Sequence, residues 1–150
     1  MKFFIVLCAV IAMAAAQWTP KSKEELLKFR EECFKSENVP QAVIEKLNNR
    51  QYDEDLGQEA RCYIRCIGLK SEIWDDTNGY DLERSYQNLI STGFEVSKEN
   101  LQKCITPNTD NDDKCTWAAK NLKCLWTNKY VTKKQKIIKN IFTLNKLCLL

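Results

Sequence analysis

Cys62-Tyr63-Ile64-Arg65-Cys66 puts two thiols at positions i and i+4 of a central helix. Both project from one helical face, so a single helix can anchor two disulfides to two other parts of the chain. Working outward, Cys33 lies on one side and Cys104, Cys115 and Cys124 on the other, in the spacing C-x28-C-x3-C-x37-C-x10-C-x8-C. Six half-cystines make three bridges. Fifteen connectivities are open to them, and the spacing alone does not choose.

Met1 to Ala16 reads as a targeting segment rather than as part of the fold. Lys2 supplies a positive start, Phe3 to Met13 an apolar stretch, and Ala14-Ala15-Ala16 a small-residue cleavage site before Gln17. The apolar run is shorter than the ~20 residues a membrane span needs. Residues 1–16 are therefore expected to leave as a signal peptide, taking Cys8 with them. Residues 17–150 are expected to form one secreted, extracellular domain. In an oxidising compartment its cysteines form a disulfide framework. Cys148 is then left over, as a partly buried free thiol or as the site of an intermolecular bridge.

Charge is unevenly divided. The whole chain carries 23 basic and 20 acidic residues. Thr127 to Leu150 holds six lysines and no acid; with Lys2 also set aside, Gln17 to Trp126 has 16 basic against 20 acidic residues, a net of −4. A basic tail can signal nucleic acid or anionic lipid, but here no arginine cluster or interleaved aromatic residue accompanies it. We read it as the solvated face of a terminal helix, with no nucleic-acid partner.

Periodicity is helical nearly throughout. Ser22-x-x-Glu25 is a capping box opening a first helix with Leu26, Phe29 and Cys33 on one face. Pro40 suits the start of a second, carrying Val43, Ile44 and Leu47. The third runs from about Asp55 to Lys70, its end marked by the Asn78-Gly79 turn signal beyond. Leu82, Tyr86, Leu89 and Ile90 define a fourth that stops near Gly93, and Ser97 caps a short fifth carrying Leu101 and Cys104. The acidic stretch Asp110 to Asp113 suits the start of a sixth, with Cys115, Ala119, Leu122 and Trp126 on a common face. Thr132-x-x-Gln135 resembles a further capping box before Ile137, Ile138, Ile141 and Phe142, although Lys133 and Lys134 are poorly placed at a helix start.

The chain contains no histidine. That removes Ser-His-Asp and Cys-His nucleophile systems, histidine-bearing zinc sites and the commonest general base. The adjacent carboxylates Asp75-Asp76 and Asp112-Asp113 lie in polar, turn-like segments with no apolar setting to separate their pKa values. Neither stretch matches a calcium loop, and Cys62-x3-Cys66 differs from zinc-ribbon pairs. No enzyme activity, catalytic residue, metal or cofactor is expected.

The leader, the length, the helical pattern and above all the six-cysteine spacing from Cys33 to Cys124 resemble the insect odorant-binding proteins, the pheromone and general odorant-binding superfamily. The resemblance implies an all-α fold, a compact six-to-seven-helix disulfide-linked bundle enclosing an apolar cavity. It also implies the pairing Cys33 with Cys66, Cys62 with Cys115, and Cys104 with Cys124. The basic extension and the missing histidine depart from the pattern. A histidine-driven release of ligand at acid pH cannot operate here, which leaves the aspartates near residues 75 and 110 to 113 as the candidate triggers.

Three bridges stabilise a small domain by roughly 2 to 4 kcal/mol each, so its interior can stay folded without being filled. The inward stripes nominate a cavity wall of Leu26 and Phe29, Ile64 and Ile67, Leu82, Tyr86, Leu89 and Ile90, then Ala119, Leu122 and Trp126, with Ile138 and Phe142 from the tail. Tyr86 and Trp126 each join an apolar body to a hydrogen-bond donor and so suit orienting a ligand. Lys133, Lys134, Lys136 and Lys139 would ring the entrance. The expected function is a secreted carrier that reversibly binds small hydrophobic ligands, odorants and fatty acids, as a monomer or weak homodimer, with delivery at a chemosensory receptor or membrane surface. Two alternatives stand beside it: a salivary scavenger of host biogenic amines or eicosanoids on the same scaffold, and a structural or interaction protein with a filled core.

Overall fold

In the computed structural model residues 18–52 and 55–134 are described. The expected leader, Ile137, Ile138, Ile141, Phe142 and Cys148 all lie outside them. The described residues form six helices: α1 (Lys23–Ser36), α2 (Gln41–Asn48), α3 (Gln58–Lys70), α4 (Leu82–Ser91), α5 (Lys98–Cys104) and α6 (Lys114–Thr127). The fold is all-α and disulfide-linked, as the sequence predicts.

Local chemistry sets the helix starts. At α1 both halves of the capping box form, with Glu25 N donating to Ser22 Oγ at 3.2 Å and Ser22 N donating to Glu25 Oε2 at 2.8 Å. Asp81 accepts from Arg84 N to open α4, and Ser97 from Asn100 N to open α5. Asp113, the last residue of the acidic stretch, caps α6 by accepting from Cys115 N and Thr116 N at 3.0 and 3.1 Å.

Two short antiparallel strand pairs join the helices. β1 (Trp74–Asp75) pairs with β2 (Gly79–Tyr80), and β3 (Phe94–Glu95) with β4 (Thr132–Lys133). The second pair corrects the expected capping box at Thr132. Residues 132 and 133 lie on a strand against Phe94 and Glu95, with Lys134 N bonded to Gly93 O at 3.0 Å. β-Branched Val131 and Thr132 favour the extended backbone, and two lysines would oppose the dipole of a helix begun there.

α3 is the hub. Cys33–Cys66 ties it to α1, Cys62–Cys115 ties it to α6 with the Cα atoms 4.5 Å apart, and Cys104–Cys124 closes α5 on α6. Fully buried Ala60 on α3 and Ala118 on α6 keep side-chain bulk low where these helices pack. One core gathers Tyr63, Ile64, Trp74 and Trp117 around Cys33, and a second gathers Leu101, Cys104, Leu125 and Val131. In the first, Trp74 meets Trp117 edge to face at 4.6 Å. Gly79 lies at φ 81° against the Trp117 ring, where a Cβ would come within 2.7 Å of Cζ2.

Candidate functional site

A cavity of about 340 Å³ lies between α1, α3, α4 and α6. α1 lines it with Lys23, Leu26, Leu27 and Arg30, spaced i, i+3, i+4 and i+7, so one helical face supplies that wall. α3 contributes Tyr63, Ile64, Ile67 and Gly68, and α6 Asn121, Leu122, Leu125 and Trp126. From α4 come Ser85, Asn88 and Leu89, followed by its C-cap residue Thr92. Arg50, Tyr52, Ile73, Tyr80 and Phe94, with Leu101, Cys104 and Ile105 at the end of α5, complete the lining. Leu27 is half exposed, so the α1 edge is open to solvent.

Of the nominated wall residues, Leu26, Ile64, Ile67, Leu89, Leu122 and Trp126 line this cavity. Phe29 does not; its ring lies beneath Lys70 Nζ, 5.7 Å from the ring centre. Leu82 and Tyr86 pack on the second core instead, with Lys98 Nζ 5.1 Å over the Tyr86 ring, and Ile90 is 44% exposed. The reason is a rotation of α4. Its apolar stripe packs on α5 and the second core, which turns the stripe's polar flank toward the cavity. Ala119 lines a separate, smaller cavity of about 210 Å³ that shares Tyr52 and Ile64 with the main one. Ile138 and Phe142 lie outside the described residues. Lys133 and Lys134 are exposed on and after β4 and do not line the cavity, which removes them as its rim; Lys136 and Lys139 are outside the described residues.

Sequence reading missed the charge on the wall. Lys23, Arg30 and Arg50 line the cavity, and no aspartate or glutamate among the described residues does so. Arg30 donates to Asn48 Oδ1 and lies 5.7 Å from the centre of the Phe34 ring. The Arg50 guanidinium lies over Phe94 at 4.9 Å and Trp126 at 5.7 Å, which orients its charge without a carboxylate. Helical spacing from Leu26 could have found Arg30. Arg50 sits just past α2 at φ 58°, where no periodicity points.

The three tyrosines of the wall remain neutral. Burial pushes the phenols of Tyr52, Tyr63 and Tyr80 well above their ordinary range. The cavity is thus apolar over most of its surface, with three cations and several neutral hydroxyls and amides among its lining. An anionic head on an apolar body is what such a wall can hold.

Residues 15–128 match the model of the PBP/GOBP family. The chain belongs to that family. This PBP/GOBP chain is 36% identical over 129 residues to odorant-binding protein 22 of Aedes aegypti, covering 85% of this chain and 91% of the relative. It is 30% identical over 128 residues to general odorant-binding protein 99a of Drosophila melanogaster, covering 83% and 89% respectively. General odorant-binding protein 99b of the same fly is 25% identical over 130 residues, covering 79% and 86%. Membership of that family supports a small-ligand carrier role. Among the described residues no helix is long and apolar enough to cross a membrane.

Proposed function

We propose that the protein is a secreted carrier for amphipathic anions of the fatty-acid class, which holds the acyl chain in the main cavity and the carboxylate near Arg30, Arg50 or Lys23. The observation that supports this reading is the combination of an apolar cavity with three basic side chains and no acidic one on its described lining. Guanidinium groups match a carboxylate with paired donors, and the aromatic faces around Arg50 exclude water from its flank. Micromolar affinity, about −8 kcal/mol, suits reversible carriage. Release at a receptor or membrane surface, and a monomeric or weakly dimeric state, belong to the same proposal.

The amine-scavenger alternative needs a carboxylate facing the cavity, and the described lining offers none. Eicosanoids are themselves carboxylates on apolar chains and fall within the proposed ligand class. The test is calorimetric titration of delipidated, oxidised protein with a long-chain fatty acid, its methyl ester and serotonin. Saturable one-to-one binding of the acid, weaker binding of the ester and silence from the amine support the proposal. Amine binding without acid binding would replace it.

A further inference from the structure

The cavity wall carries four hydroxyl or amide side chains from α4, its C-cap residue Thr92 and α6, and they fall into two kinds. Thr92 Oγ1 lies within reach of the carbonyls of Asn88 and Leu89, at 2.8 and 3.0 Å. Asn121 accepts from Thr106 Oγ1 at 3.0 Å and donates from Nδ2 to Thr106 O at 3.4 Å. Those two are satisfied by the fold itself. Ser85 Oγ and Asn88 Oδ1 are closed off from solvent, and neither has a hydrogen-bond partner among the described residues.

Ser85 is 5% exposed, and its hydroxyl forgoes the back-bond open to a helical serine. The Asp81 carbonyl one turn earlier accepts from Ser85 N, at 2.9 Å, but not from the hydroxyl. Ser85 and Asn88 stand at i and i+3, on the α4 face that lines the cavity. Buried polar atoms are normally paired, so two orphans side by side on a cavity wall mark a place for a polar group of the occupant.

We propose that Ser85 and Asn88 form a subsite for an un-ionised hydroxyl on the ligand, one that selects fatty alcohols and hydroxylated acyl chains over their plain or capped counterparts. The chemistry of the pair decides the class. Asn88 Oδ1 only accepts, whereas Ser85 Oγ donates or accepts. A ligand hydroxyl donates to Asn88 and accepts from Ser85, which uses both atoms at once. An ether or ketone could only accept from Ser85, and a carboxylate could not donate to Asn88. This inference rests on the carrier reading and adds to it a second polar contact, supplied by α4 rather than by the basic side chains of α1 and Arg50.

The test is displacement of a fluorescent acyl probe from delipidated protein by dodecan-1-ol, by its methyl ether and by lauric acid. Wild type is expected to hold the alcohol about tenfold tighter than the ether, the scale of one buried hydrogen bond. Ser85→Ala and Asn88→Leu are each expected to bring that ratio within about twofold while melting no lower than wild type, because each removes an orphaned polar atom. Ser71→Ala serves as a control, since Ser71 Oγ is likewise buried and unpartnered but does not line the cavity, and its ratio is expected to match wild type. Equal binding of alcohol and ether to wild type, or a preference that survives both substitutions, would overturn the hydroxyl subsite. Alcohol preference without lauric acid binding would support the subsite and remove the carboxylate head from the proposed function. Silence from all three ligands would overturn both.

Discussion

Arg65 closes on Asp76 through both arms of its guanidinium: Nε donates to Oδ1 at 2.7 Å and an Nη donates to Oδ2. Trp74 Nε1 adds a third bond to Oδ1 at 3.0 Å. The arginine inside the Cys62–Cys66 stretch thus clamps the β1–β2 turn onto α3. The Arg65 hydrogen bonds, and after them that of Trp74, outweigh the cost of desolvation and hold the Asp76 carboxyl down at about 2 against an ordinary 3.8. Because the folded-state value is depressed, the stabilisation is complete above the ordinary value and is lost as pH falls through about 2. Asp76→Asn is expected to destabilise by on the order of 1 kcal/mol at pH 7, discounted because the pair is about one-third exposed. Urea denaturation should show a gap between wild type and variant that is constant from pH 7 to about 5 and closes between about 4 and 2. A gap that widened in acid would contradict the clamp.

The bridges differ in what they constrain. Cys62–Cys115 spans 53 residues and Cys104–Cys124 spans 20. Loop-closure entropy predicts a cost of roughly 4 kcal/mol for removing the first and roughly 3 for the second. Paired serine substitutions followed by thermal denaturation should rank them in that order, and the reverse order would point to strain or packing instead.

Ligand affinity is expected to stay the same, within about twofold, between pH 7.5 and 5.5 for a neutral ligand. Of the candidate acid triggers at residues 75, 76 and 110 to 113, Asp75, Asp76 and Asp113 are held below the ordinary carboxylate range. Asp75 accepts from Asn78 and Thr77, Asp76 from Arg65, and Asp113 from Thr116. They remain ionised throughout mild acid, and none lines the main cavity. Calorimetry at the two pH values checks this, and a tenfold loss at pH 5.5 would refute it.

Arg50→Gln is expected to weaken fatty-acid binding by about tenfold and leave the methyl ester within about twofold, as for loss of one charge-assisted contact. The split between acid and ester separates a role in holding the carboxylate from a role in packing on Phe94 and Trp126. Equal weakening of both ligands would assign Arg50 to packing alone.

Gly79→Ala is expected to destabilise by about 1 to 3 kcal/mol. The new Cβ would meet Trp117 at 2.7 Å on a backbone at φ 81°, and the β1–β2 turn has no room to move because Asp76 is clamped. Tryptophan fluorescence during urea titration measures the loss. An unchanged midpoint would mean that the turn yields.

Much of the fold was legible because the relevant forces act over a few residues. Ser22 and Glu25 meet within one turn, Ser97 caps the helix it precedes, and Cys62 and Cys66 share a face by helix geometry alone. Thr132 misled because a capping box is also a local pattern, while strand pairing with Glu95 is a contact between residues far apart in the chain.

Near-neighbour patterns in the chain were enough for the helical segments, the caps at Ser22 and Ser97 and the six half-cystines, since 3.6-residue periodicity and side-chain capping act over a few residues. Only the tertiary structure decided what faces the cavity. Periodicity locates the apolar side of a helix, and on α4 that side went to the second core with Leu82 and Tyr86, leaving Ser85 and Asn88 on the wall. Arg50 and Tyr52 reached the cavity from an irregular segment that carries no period. Which face of a helix meets a partner and which meets an internal space is set by how the elements pack together, and that relation is absent from any single stretch of the chain.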